Sequence, residues 1–269
     1  MKLHDGNKRK PIPKTAGVEL PPLRELGSDL LRLSPRRRLL TLSLPFLWCG
    51  AYFAFTAIGW WPLAVFALVG LSFVTYGSTS HDLVHRNLGL PRALNDALLC
   101  VVELLALRGG HAYQAAHLHH HARYPHADDI EASAARRSWI GALAEGPAFQ
   151  CRIWLWAVRN AAQARAWLVG EGLACLALAA LALALFPVTP VPLIYVVLTV
   201  AGGWVIPLVT SYLPHEPHAD GKLFQTRAFR GAYSCRFFRP GGLLARVATA
   251  DGIFNGHGSG FPAPKGKGS

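Results

Sequence analysis

The chain has 269 residues, 52% hydrophobic and only 16% charged, with a mean hydropathy of +0.26. That is too apolar for an ordinary soluble domain and excludes intrinsic disorder, while Cys49, Cys100, Cys151, Cys175 and Cys235, odd in number and scattered, exclude a disulfide-stapled secreted fold. A net charge of +12 raises nucleic acid as a partner, yet a basic membrane protein needs none if its cations lie on one side of the bilayer.

Residues 1–28 carry Lys8-Arg9-Lys10 and several prolines between Pro11 and Pro22 and read as mobile, within a cytoplasmic N-terminal arm over 1–38. From Leu39 to Ser80 there is no Asp, Glu, Lys or Arg, and these 42 residues are twice the roughly 20 that one helix needs to cross a bilayer. Gly59-Trp60-Trp61-Pro62 supplies a turn and two interfacial indoles, which predicts spans over 39–58 and 62–80. Segment 93–107 is apolar but short and holds Asp96 and Glu103, so an interfacial or partly re-entrant helix is expected. Trp167 to Leu213 has Glu171 as its only formal charge and breaks at Phe186-Pro187-Val188-Thr189-Pro190, giving spans over 167–186 and 191–213.

The predicted fold is thus an all-α integral membrane protein: four transmembrane helices with a cytoplasmic, helical, histidine-rich cap. Four spans put 1–38, 81–166 and 214–269 on one side, and these segments carry 10, 9 and 8 Lys plus Arg, all 27 in the chain. Such a bias marks the cytoplasmic side, so nucleic acid is not expected as a partner. No cleavage pattern precedes Leu39, and the first span is expected to be an uncleaved anchor. Ala-rich, Arg-over-Lys usage points to a bacterial inner membrane.

Of 12 histidines, none falls in a predicted span and ten lie between His81 and His218. In HDLVH, His81 and His85 share a face if the second span continues as a helix out of the membrane. In HLHHH, His117, His120 and His121 stand at i, i+3 and i+4 on one helical face, while His119 points elsewhere. His215 and His218, in PHEPH, follow the fourth span among prolines, a weaker spacing. His4, His126 and His257 read as surface residues, and His111 as a ligand or a ligand's neighbour.

Imidazole suits zinc, copper, iron and nickel, and more than five histidines suggest two ions, with two irons the best reading. Such a centre activates O₂, which allows attack on an unactivated C–H bond. A bilayer-resident substrate would explain a site at the membrane face. Asp82, Asp128, Asp129 and Glu131 are candidates to orient the non-ligating imidazole nitrogens, or are solvated loop charges.

HDLVH at 81–85, HLHHH at 117–121, the four-span layout and Ser211-Tyr212-Leu213-Pro214-His215 after the last span together resemble the membrane-bound fatty acid desaturases and their relatives, the carotenoid ring hydroxylases and ketolases. The resemblance covers roughly residues 40 to 230. It implies a di-iron centre on the cytoplasmic face, ligated by His81, His85, His117, His120, His121 and His215, with O₂ as co-substrate and electrons from a ferredoxin or cytochrome-type carrier. The implied activity is introduction of a double bond into a lipid acyl chain, within a membrane domain over 39–230; ring hydroxylation or ketolation of a carotenoid is the alternative. Catalytic side chains beyond the ligands are not indicated.

Family members also have a third histidine box after the last span, whereas residues 231–269 contain only His257 and, from Pro240 on, eight glycines. This stretch reads as a disordered or aberrant tail. A truncated, inactive relative with an incomplete second iron site is therefore a further alternative. An intramembrane zinc hydrolase, with Glu131 as base beside three ligands, needs fewer imidazoles than are present.

Overall fold

A computed structural model of the chain describes residues 33–215. Those residues are helical throughout, with no strand among them. The arm before residue 33 and the segment after His215, with His4, His218 and His257, lie outside the described residues.

Helix α1, Pro35–Ala57, starts where Ser34 Oγ accepts from the amide of Arg37 (3.3 Å) and Pro35 occupies the first turn, whose amide needs no partner. Its partner α2, Trp61–Val84, follows a tight turn at the expected place. Helix α2 contains a π-turn over Thr75–Thr79 and continues as α-helix over Ser80–Val84, beyond the expected end at Ser80. Then come α3 (Arg92–Leu105), α4 (Gly110–Arg123), a 3₁₀ turn at Glu131–Arg136 and α5 (Trp139–Asn160). The last hairpin is α6 (Ala162–Leu185) and α7 (Val191–Tyr212), which ends in a second π-turn at Pro207–Tyr212.

Helices α1, α2, α6 and α7 are each long and apolar enough to cross a membrane. Their outer faces expose large side chains such as Leu47, Phe66, Leu176 and Val197, a surface that water would reject and lipid accepts. With 14 residues, α3 is too short to span, as expected of segment 93–107.

Two apolar clusters hold the helices together. Tyr52 of α1, Ala64, Ala67, Leu68 and Leu71 of α2 and Tyr195 of α7 form one, and the Tyr52 hydroxyl donates to the Val191 carbonyl at 2.8 Å. The other joins α2 to α7 through Leu83, Leu99, Tyr113, Phe149, Leu168 and Ile206.

Two glycines permit the approach of helices that matter for the site. A Cβ on Gly110 would lie 2.7 Å from the Leu99 carbonyl oxygen, and one on Gly146 would lie 2.0 Å from that of Trp204. Only hydrogen lets α4 close on α3 and α5 close on α7.

Candidate metal centre

The final turn of α2 and the body of α4 face one another, and each brings its histidines at helical spacing. His81 and His85 lie one turn apart with ring centroids 4.5 Å apart; His117 and His121 repeat this on α4, also at 4.5 Å. Across the gap His81 meets His117 at 4.9 Å and His85 meets His121 at 4.8 Å. One nitrogen from each of the four lies within 4.8 Å of the other three.

The close contacts are between ring nitrogens. His121 Nε2 lies 3.1 Å from His85 Nε2 and 3.0 Å from His117 Nε2. His117 spends its Nδ1 proton on Glu131, so its Nε2 carries a lone pair; a single proton on His121 Nε2 cannot satisfy two neighbours at once. His81 Nε2 is buried without a hydrogen-bond partner. Converging ring nitrogens of this kind offer more lone pairs than protons at one point, and a cation between them would satisfy those lone pairs. Two nitrogens bound to one ion at about 2.1 Å and at right angles are ~3.0 Å apart, which matches the spacing seen here. The residues therefore fit a metal ion.

Two buried carboxylates hold the opposite ring nitrogens. His117 Nδ1 lies 2.9 Å from Glu131 Oε2, and His120 Nδ1 lies 2.7 Å from Asp129 Oδ2. Asp129 also accepts, through Oδ1, the amides of Glu131 and Ala132, each at 3.1 Å, and so starts the 3₁₀ turn that delivers Glu131. The loop is tied down by Arg136, whose guanidinium donates to the carbonyls of His126, Ala127 and Asp129. Asp129 and Glu131, two of the four candidate orienting acids, thus contact imidazole nitrogens as expected. Asp128 is exposed and pairs with Arg123 at 2.9 Å, while Asp82 is half-buried on α2.

His120 turns away from the four-histidine group. Its ring lies 5.0 Å from that of His215 and 5.2 Å from Tyr124. His215, carried past the second π-turn, is fixed by a 2.8 Å bond from Nδ1 to the Ser211 carbonyl. The six imidazoles singled out by sequence thus come together as a set of four and an adjacent pair, 5.9 Å apart between His117 and His120.

Burial keeps these rings neutral. It lowers His85 to about 4 and, with help from His120, His215 to about 4. His117 and His121 are held well below the ordinary histidine range by burial and then by neighbouring imidazoles. Burial raises the Glu131 carboxyl, against the pull of His120. Asp129 is also pushed up by burial, but its hydrogen bond and charge contact with His120 outweigh that and leave it lowered. Neutral imidazoles facing one another are ready metal ligands at physiological pH.

The remaining histidines stand apart. His119 meets Trp156 at 4.8 Å, and His126 is exposed. His111 is buried at the start of α4, where its Nδ1 lies 2.7 Å from Glu171 and its ring stacks on Trp167 at 4.5 Å; it is neither in the cluster nor beside it. Glu171 also accepts the His111 amide at 3.1 Å, so a carboxylate from a membrane-spanning helix caps the helix that bears the histidines. Sequence reasoning did not find this cap, although an acid alone in an apolar run was a signal.

The fold and the donor set define a helical membrane protein with a histidine cluster that could hold a metal ion. The fatty acid desaturase family model matches residues 58–245, and the chain belongs to that family. No curated protein and no solved structure matches it.

Proposed function

We propose that this protein is a membrane-bound, O₂-dependent di-iron oxidoreductase of the desaturase type that introduces a double bond into a lipid acyl chain. The observation that carries the reading is the set of four imidazoles, from the end of α2 and from α4, whose ring nitrogens lie within 4.8 Å of one another, with His121 Nε2 3.1 Å from that of His85 and 3.0 Å from that of His117. His81, His85, His117 and His121 would hold one iron, and His120 and His215 would contribute to a second. Bound iron supplies the O₂ activation needed to oxidise an unactivated C–H bond, which no side chain does alone.

The chain's own residues do the rest. Glu131 and Asp129 keep the protons of His117 and His120 on Nδ1, leaving Nε2 free to ligate, and the buried cluster excludes bulk water. The exposed apolar faces of the four spanning helices suit contact with bilayer lipid, the source from which an acyl substrate would come. Electrons come from a soluble carrier such as a ferredoxin. The excess of Lys and Arg in the segments that carry the histidines supports a cytoplasmic site, and the Ala-rich, Arg-over-Lys usage supports a bacterial inner membrane.

The test is acyl-chain analysis of lipids from cells expressing the protein, with and without carotenoid precursors. A new unsaturated acyl chain that disappears in His121→Ala supports the reading. An oxygenated carotenoid ring with unaltered acyl chains would replace it with the ring-oxidising alternative.

A further inference from the structure

The geometry points to Tyr76 as a positioning residue of the metal centre: its hydroxyl fixes the Glu131 carboxylate and, through it, the direction in which His117 presents Nε2. This rests on the metal reading given above.

Tyr76 precedes His81 by five residues. In an unbroken α-helix five residues turn through about 500°, which would leave the two side chains ~140° apart. The π-turn over Thr75–Thr79, in which the amide of Ser80 bonds to the Thr75 carbonyl, takes up the extra residue. Both side chains consequently face α4: the Tyr76 ring stacks on Tyr113 at 4.2 Å, and His81 meets His117 at 4.9 Å.

From there the Tyr76 hydroxyl donates to Glu131 Oε1 at 3.1 Å, while His117 Nδ1 contacts both oxygens of the same carboxylate at 2.9 and 3.0 Å. The carboxylate is thereby held from two sides. Tyr76 is itself immobile: its carbonyl accepts from the Tyr113 hydroxyl at 3.0 Å, and the Arg108 guanidinium lies 5.3 Å above its ring. Arg108 is anchored in turn by Glu103 at 2.7 Å and Thr75 at 2.6 Å. Phenylalanine would fill the same space. A buried hydroxyl is costly without a partner, and the partner here is the acid that orients a candidate ligand.

The experiment is a cobalt(II) titration, followed by visible absorption, of the metal-free, full-length protein in detergent, for the unsubstituted chain, Tyr76→Phe, Glu131→Gln and the double variant. Tyr76→Phe should weaken cobalt binding on the order of tenfold and alter the ligand-field band. In the Glu131→Gln background the same change should cost less than about twofold, since the carboxylate it acts on is gone. Unchanged affinity in Tyr76→Phe, or an equal loss in both backgrounds, would overturn the positioning role while leaving the metal reading intact. An unsubstituted chain that binds no cobalt overturns the metal reading, and this inference with it. Should Tyr76→Phe fail to fold, the infrared C–OH stretch of isotope-labelled tyrosine decides: one mode should shift on Glu131→Gln, and a spectrum insensitive to that change would overturn the inference.

Discussion

The Nε2 atoms of His85 and His121 stand 3.1 Å apart although 36 residues separate them in the chain. Both rings are half-buried, and His121 Nε2 lies as close to His117 Nε2, so three ring nitrogens converge on one point as the ligands of a single ion would.

Removal of either ring should therefore remove the metal. His85→Ala or His121→Ala is expected to reduce bound iron to background, with insertion into the membrane unchanged because both residues lie outside the spanning helices. Elemental analysis of the purified variants, beside a membrane-flotation assay, checks this; full iron retained in both would remove these ligands from the site.

The carboxylates that hold Nδ1 should matter less than the ligands and more than their neighbours. Glu131→Gln and Asp129→Asn are each expected to weaken metal binding by about 10- to 100-fold, whereas Asp128→Asn, altering an exposed pair with Arg123, should leave it unchanged. Competitive chelator titrations of the three variants distinguish the outcomes.

The metal-free protein should lose stability in acid through its histidines. His85 and His215 sit at about 4 in the folded chain and near 6.5 once unfolded, so between those values the unfolded state binds more protons. Their neutral-form preference costs nothing above pH ~6.5, and stability falls as pH drops from there toward 4, levelling below. Denaturant titrations of the metal-free chain at pH 7, 5.5 and 4.5 should show that fall, and His85→Ala should flatten it. A stability rising toward pH 4.5 would contradict the buried, neutral state of these rings.

The seat of α4 is open to a separate test. Gly110→Ala forces a methyl to within 2.7 Å of the Leu99 carbonyl oxygen, and is expected to destabilise the protein by about 1–3 kcal/mol. Glu171→Ala removes the carboxylate that accepts the His111 amide and imidazole, with an expected loss of about 1–3 kcal/mol. Thermal unfolding in detergent measures both, and unaltered midpoints would mean that neither contact seats the helix.

The four spans and the histidine sets were legible in sequence because charge-free length and helical spacing are one-dimensional signals. What the spacing could not show is how the second box divides. Successive residues on a helix are about 100° apart, so His120 and His121 straddle His117, one turned toward His215 and the other toward His85. One helix can thus serve two adjacent groups. The pairing of Asp129 with His120 and of Glu131 with His117 was equally hidden, since a loop fixed by Arg136 sets it. Tyr76 was out of reach for a different reason: the π-turn breaks the period that would have placed it beside His81. The Glu103–Arg108 pair, fully buried beside α2, shows why an acid in segment 93–107 can be tolerated, but its partner lies one residue past that segment.

The central claim is that the histidines hold iron, and the most direct measurement is iron and zinc per chain, taken together, in detergent-purified full-length protein and in His121→Ala. Two irons per chain, lost in the variant, is the expected result. Zinc in place of iron, or iron equally present in His121→Ala, would contradict it.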